Sequence, residues 1–477
     1  MGTGLSSAGA SRGANAVALM DQSREEHELP RVLNASHATS FVVGIIIGSG
    51  IFLVPREMMA AVGSSVTVYA VWIVGGVLSL FGAMTYAEIA ASHPKYGGEY
   101  AFLREAYGDL TAFVFMWTQV TIAKPSSIAS IASGVVRVLG NFSAFSFLSG
   151  TFLPHVVYGQ LVAIAFVWLI TGLNILGTRK AGNIQRLLMG LKVAMVLTVV
   201  GICIFGGHGT TANFATHHPG ARGGFPGFMV ALIAALWAYD GWSDVTHTAG
   251  EIQNPRRSLP LALIGGVCIV GVLYMMTNAA IQFVLPATVI ANADRPAVAA
   301  ILQSAGPAAA WLFSIGLAVS YGSTFIGSSL TGARIPFAAA RDGLFFRGLA
   351  YVHPRFKTPS RALILQATLS SILLLLINTF QGLFSLAIFS EWLFYAAVTA
   401  SVFVFRRRET AAEKANRPYS VWGYPVVPAL FIIAAAVLLV FSFADQPRNS
   451  VIGAVIILAG IPLHYLLRHG RARRSAK

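Results

Sequence analysis

The sequence predicts an all-α integral membrane protein of twelve transmembrane helices, ten of them in two inverted repeats of five and two standing outside. Three observations carry this: an apolar composition, the number and length of the apolar runs, and two spans broken at matching places. Of 477 residues, 56% are hydrophobic and 11% are charged, with 47 glycines, a mixture foreign to soluble domains of this length. Crossing about 30 Å of hydrocarbon takes about 20 apolar residues in a helix. Twelve runs qualify, at 38–62, 66–92, 109–138, 154–174, 183–206, 226–250, 259–284, 306–333, 361–380, 382–405, 424–443 and 449–467.

The first of these spans is interrupted at Gly48-Ser49-Gly50, and the sixth at Gly241 within Leu236-Trp-Ala-Tyr-Asp-Gly-Trp242. After each break come an unbroken span, a connector with a short amphipathic stretch (Glu99 to Tyr107; Arg295 to Ser304), a long span and two more spans. Five spans per half is an odd number, so the second half lies upside down relative to the first. Unwound backbone at bilayer depth is tolerated only where it is buried in protein or lines a cavity. Half-helix N-termini there offer free N–H groups and a positive dipole end to an anion, and free carbonyls suit a cation. A zwitterion fits both ends, which makes an amino acid the natural ligand. The Gly44-xxx-Gly48 spacing also fits close packing between helices.

The net charge of +15 follows topology. With the N-terminus inside, Lys and Arg gather on the inner side, notably at Arg334 to Arg361, Arg406-Arg-Arg408 and the tail Arg468 to Lys477. This is the positive-inside bias, and its partner is membrane lipid, attracted by about 1 kcal/mol per basic residue near the surface. No nucleic acid is implied. The expected location is the cell (inner) membrane, multi-pass, with both termini cytoplasmic. Residues 1–36 lack a long apolar core, so they read as a cytoplasmic tail and not a signal peptide. Met1-Gly2 to Ser6 matches a myristoylation pattern, which would add nothing to a polytopic chain. Cys203 and Cys268 lie inside apolar spans and read as small buried side chains. No His-Glu-x-x-His is present, no Gly-x-Ser-x-Gly stands in a catalytic context, and no filter repeat or charged ring marks a channel. The expectation is a non-enzyme without cofactor or metal.

Asp240 and Lys192, two of the charged residues inside spans, need a partner or a task. Asp240 sits at a helix centre, where a carboxylate costs about 2.5–3.5 kcal/mol on insertion scales. It either serves a substrate or caps the half-helix that begins near Trp242. His247, seven positions further on, is a candidate neighbour. Lys192 lies about nine residues into span five, about 14 Å deep at 1.5 Å per residue, beyond what snorkelling covers.

The segments Gly48-Ser-Gly-Ile-Phe52, Gly97-Gly-Glu-Tyr100, Lys124-Pro-Ser-Ser127, Trp237-Ala-Tyr-Asp-Gly-Trp242, Gly250-Glu-Ile-Gln-Asn-Pro-Arg-Arg-Ser-Leu-Pro260, Ala340-Arg-Asp-Gly343 and Arg417-Pro-Tyr-Ser-Val-Trp-Gly-Tyr-Pro425 carry a resemblance. In this order they resemble the amino acid-polyamine-organocation superfamily and, within it, the L-type amino acid transporter family and its bacterial relatives. The resemblance implies a leucine-transporter-type core over 37–410, with repeats at about 38–206 and 226–406. Helices 11 and 12 and a basic cytoplasmic tail follow in 411–477. It implies that substrate carboxylate is held by N–H groups at Ser49, Gly50 and Ile51, beside Gly48. The amine would be held by carbonyls of Ile46, Trp237 and Ala238, with Asp240 and Gly241 completing the bend. Trp237 would be the aromatic gate, offering a flat face to an ammonium.

Asp240 is similar to the residue of members that accept cationic as well as neutral amino acids, and also to that of bacterial relatives with other preferences. Lys192 matches a fifth-helix lysine that contacts the first and eighth helices in place of sodium, which implies sodium independence. A buried lysine can also lose its proton, so proton coupling stays open. Ser328 matches an eighth-helix position facing that lysine, and Lys124 reads as a helix anchor. Ile326 departs from the polar residue of many animal members. Those members are tied to a glycoprotein by a cysteine after span three. The loop Gly140 to Leu153 has none, which implies a stand-alone monomer or weak oligomer without a covalent heavy-chain partner. The implied activity is alternating-access exchange of neutral L-amino acids, with acceptance of cationic ones left open and proton-coupled symport as the alternative.

Overall fold

The computed structural model describes residues 29–48, 50–140, 143–377, 380–445 and 447–475. Ser49 and the tail up to residue 28 lie outside them. Among the described residues the regular structure is helical apart from a hairpin of β1 (Thr151–Leu153) and β2 (Val156–Val157). Ten helical stretches are long and apolar enough to cross a membrane.

The first span is two helices, α1 (Ala35–Ile46) and α2 (Gly50–Val62). Asn34 starts α1 by accepting the His37 N–H at 3.1 Å, one of the four donors that a helix N-terminus leaves open. Next come α3 (Ser65–Ser92) and the short amphipathic α4 (Glu99–Tyr107). The third span is not uniform: α5 (Asp109–Thr118) passes through a π-helical turn at Gln119–Ala123 into α6 (Lys124–Leu139). Pro125 follows directly and has no N–H to continue an ordinary ladder, so the wide turn falls where the sequence allows it. Then follow α7 (Tyr158–Ile175), α8 (Thr178–Phe205) and α9 (Gly224–Ala238).

Beyond the second break the chain continues as a 3₁₀ segment, Ser243–Glu251, and not as the α-helix expected near Trp242. Helices α10 (Pro255–Val284), α11 (Ala287–Asn292) and α12 (Pro296–Gly332) come next. Gly306, at φ +79°, kinks α12 just before Pro307, which separates the expected amphipathic stretch from the span proper. The remainder is α13 (Arg334–Arg341), α14 (Ser360–Leu376), α15 (Phe380–Arg408), α16 (Ala411–Ala415), α17 (Val426–Asp445) and α18 (Pro447–Ser475). The expected ninth and tenth spans fall on α14, a shorter apolar helix, and on α15.

Helix α10 packs against α1 and α3, α9 against α2, and α12 against α6 and α8, so the two breaks are enclosed by unbroken helices. Helices α17 and α18 pack from outside against α15, α3 and α5. Cys203 is buried as expected, whereas Cys268 is exposed, because its position on α10 turns away from α1 and α3.

Just before α1 the chain is tied to the segment that follows the second break. Leu33 N–H donates to Glu251 O at 3.0 Å and Gln253 N–H to Leu33 O at 2.7 Å. Beneath this bridge Arg334 grips Glu251 with two bonds, at 2.7 and 3.0 Å, and donates to Thr178 Oγ1 at 2.8 Å. Both ion-pair side chains are at most 1% exposed. Removing one partner of such a pair costs about 3–5 kcal/mol because the other charge stays buried. Glu251→Gln is therefore expected to lower the melting midpoint of the detergent-solubilised protein by several degrees. An unchanged melt would show the pair to be dispensable.

Candidate functional site

The two breaks face one cavity, lined among others by Ile46, Gly48, Gly50, Trp237, Ala238, Asp240 and Gly241. The glycines permit this approach. A Cβ on Gly50 would stand 3.1 Å from Ala238 Cα, and one on Gly241 would stand 2.5 Å from Ile45 Cγ2. Gly241 also holds φ +101°, a conformation that costs any side-chain-bearing residue. Ile51 is buried in the first turn of α2, where N–H groups have no partner within the helix.

The carbonyls at the breaks are already engaged. Ile46 O accepts from Gly48 N–H at 2.7 Å and lies 2.9 Å from the Tyr274 hydroxyl, which is also 2.7 Å from Ala238 O. Tyr274, on α10, thus stitches the end of α1 to the end of α9. Trp237 is half-buried, lines the cavity, and its carbonyl accepts the Asp240 N–H at 3.0 Å. Asp240 Oδ1 accepts from the Tyr395 hydroxyl at 2.8 Å.

Lys192 stands behind the first break and does not line the cavity. It is 2% exposed. Its ammonium donates to Gly44 O at 2.6 Å, Ile47 O at 2.7 Å and Thr324 Oγ1 at 2.8 Å. All three ammonium hydrogens are used, and α8 is tied to α1 and α12 at once. The partner on α12 is Thr324. Ser328, one turn further along, lines the cavity instead.

Sequence reasoning missed the far wall. Lys124 is not a bare helix anchor: it lines the cavity with Asp244 and Glu391, and its Nζ donates to Asp244 Oδ1 at 2.6 Å. The π-helical turn sets it there, with the Lys124 N–H bonded to Gln119 O. The signal was Pro125, which marks a local irregularity without telling what faces it. His247 does not pair with Asp240. Its Nε2 lies 2.9 Å from Glu99 Oε2, and Glu99 Oε1 accepts from the Tyr86 hydroxyl at 2.7 Å. The 3₁₀ segment carries residue 247 along a different face than an α-helix would.

The family model described as amino acid permease matches residues 33–466. The serine/threonine exchanger SteT of Bacillus subtilis (strain 168) is 32% identical over 455 residues, 94% of this chain and 99% of its own length. The b(0,+)-type amino acid transporter 1 of Mus musculus is 30% identical over 443 residues, 91% of this chain and 88% of its own. The Asc-type amino acid transporter 1 of the same animal is 29% identical over 449 residues, 93% and 82% of the two chains. A match that runs from the start of α1 into α18 takes in both breaks and every helix around them. This chain is therefore a multi-pass membrane protein of the amino acid permease family, within the amino acid-polyamine-organocation superfamily, and it resembles the L-type transporters.

Proposed function

We propose that the protein is a sodium-independent secondary transporter that exchanges neutral, and also cationic, L-amino acids by alternating access. The observation that carries this is the cavity shared by both helix breaks. The N-terminus of α2 presents unpaired N–H groups toward a carboxylate, and the ends of α1 and α9 present carbonyls toward an ammonium. Relatives named as a serine/threonine exchanger and as b(0,+)-type and Asc-type amino acid transporters support the substrate class. In this reading the substrate ammonium displaces the Tyr274 hydroxyl from Ile46 O or Ala238 O. The Lys192 ammonium occupies the carbonyls beside the first break, which favours independence from sodium.

The proposed architecture is a ten-helix core over 37–410 in two inverted repeats, with helices 11 and 12 and a basic tail after it. The arrangement of Lys and Arg supports an inner-membrane location with both termini cytoplasmic. The absence of cysteine from residues 140–153 supports a transporter without a covalently attached partner.

The test is uptake of radiolabelled amino acids into proteoliposomes in sodium-free buffer. Uptake that requires vesicles preloaded with amino acid establishes exchange. Uptake into empty vesicles that grows with an inward proton gradient would instead make the protein a symporter. No uptake in either case would remove the amino acid assignment. Within the same assay Asp240→Asn is expected to lower arginine uptake relative to alanine by about tenfold, equivalent to about 1.4 kcal/mol. An unchanged ratio would leave Asp240 with no part in side-chain selection.

A further inference from the structure

Charges on the far wall of the cavity do not balance. Lys124 and Asp244 satisfy each other at 2.6 Å, and Asp244 Oδ2 also accepts from Thr331 Oγ1 at 3.1 Å. Asp240 and Glu391 line the same cavity, and the described residues that line it include no second cation. Asp240 takes the Tyr395 hydroxyl. Glu391, 5% exposed, is 3.5 Å from the Lys124 ammonium and accepts from Gln119 Nε2 at 3.2 Å. A carboxylate this deep, held this loosely, is poorly compensated.

Gln119 supplies an independent sign of what completes the site. Its Oε1 is buried and has no hydrogen-bond partner, a state that costs about 1–3 kcal/mol. Turning the amide over would place Oε1 against Glu391 Oε2. There it can accept a hydrogen bond from a protonated carboxyl and from no ionised one. The side chain next to Glu391 thus carries an unused acceptor for a proton on Glu391.

We propose that Glu391 is the charge-compensating proton site of the substrate cavity: it holds a proton while the bound amino acid has a neutral side chain and releases it to water when that side chain is cationic. This rests on the reading that the cavity binds amino acids. The charged groups facing Glu391 are Lys124 on α6, Asp240 and Asp244 around the second break, and Glu99 on α4. The hydroxyls of Tyr86 on α3 and Tyr395 on α15 are also within its electrostatic reach. With a neutral substrate and a protonated Glu391, the charges of Asp240, Asp244 and Lys124 leave the cavity with one net negative charge. With a cationic side chain and an ionised Glu391, the two added charges cancel and the total is the same. The cause is local: a cationic side chain beside Glu391 pairs with its carboxylate and favours the ionised form, whereas beside a neutral side chain a carboxylate this poorly paired favours the proton.

The experiment measures competition between arginine and serine for exchange in preloaded proteoliposomes from pH 5.5 to 8.5. For the wild type, preference for arginine over serine should rise with pH, up to about tenfold per pH unit, the limit for one linked proton. In Glu391→Gln the ratio should become flat, and Glu391→Asp should restore a slope. Proton release by the purified wild-type protein in weak buffer provides a readout that needs no variant, with about one proton freed per arginine bound and none per serine. Serine exchange with a pH-independent arginine ratio, with no arginine recognition at any pH, or with the slope intact in Glu391→Gln would overturn the proposal. Absence of exchange and binding for every amino acid would overturn the reading of the cavity itself.

Discussion

Lys192→Ala is expected to reduce exchange by at least about 100-fold while the protein remains folded, a loss of about 2.8 kcal/mol at tenfold per 1.4 kcal/mol. The Lys192 ammonium is the common donor to Gly44 O, Ile47 O and Thr324 Oγ1. It fixes where α1 stops and how α8 and α12 stand around that stop. Each hydrogen bond from a charged donor contributes about 1.5–3 kcal/mol. The substitution also removes an ammonium whose burial costs several kcal/mol, so the two effects offset in overall stability. They do not offset at the break: the carbonyls of Gly44 and Ile47 lose their charged donor, and the N–H groups of α2 lose the register that aims them at a carboxylate. Exchange in preloaded proteoliposomes, beside a monodisperse size-exclusion profile, checks this. Wild-type rates from a well-folded variant would rule out a role for Lys192 in the transport cycle.

Gly241→Ala is expected to remove transport for a different reason, by wedging the two breaks apart. The residue needs φ +101°, which costs a non-glycine residue about 1–3 kcal/mol. A Cβ would also fall 2.5 Å from Ile45 Cγ2 and 3.5 Å from Ile45 Cβ. Overpacking of this kind adds about 1–3 kcal/mol. Ile45 directly precedes Ile46, so relief of the clash moves the carbonyl that the Tyr274 hydroxyl holds. The expected result is a melting midpoint lowered by several degrees and exchange reduced more than tenfold at temperatures where the variant is still folded. Wild-type exchange in Gly241→Ala would mean that the backbone at the second break relaxes freely, and that close contact between the breaks is not needed.

The sequence by itself determined the helical class, most of the spans, both breaks and the depth of Lys192. These depend on quantities that lie along the chain: apolar run length against bilayer thickness, glycine in an apolar run, and the rise per residue of a helix. The broken end of α1 could be read because Gly48 and Gly50 stand beside it in sequence. What faces those breaks was decided by tertiary structure. Lys124 meets Asp244 across 120 residues and His247 meets Glu99 across 148. The Tyr274 hydroxyl reaches Ile46 across 228 residues. No periodicity encodes such pairs, because an ion pair in hydrocarbon depends on which helix faces are brought together and not on spacing within either helix. The same limit explains why Lys124 read as an anchor, why Thr324 and not Ser328 holds Lys192, and why a 3₁₀ segment replaced an expected α-helix. In that segment the local helical preference yields to the packing of α10 and α12 around it.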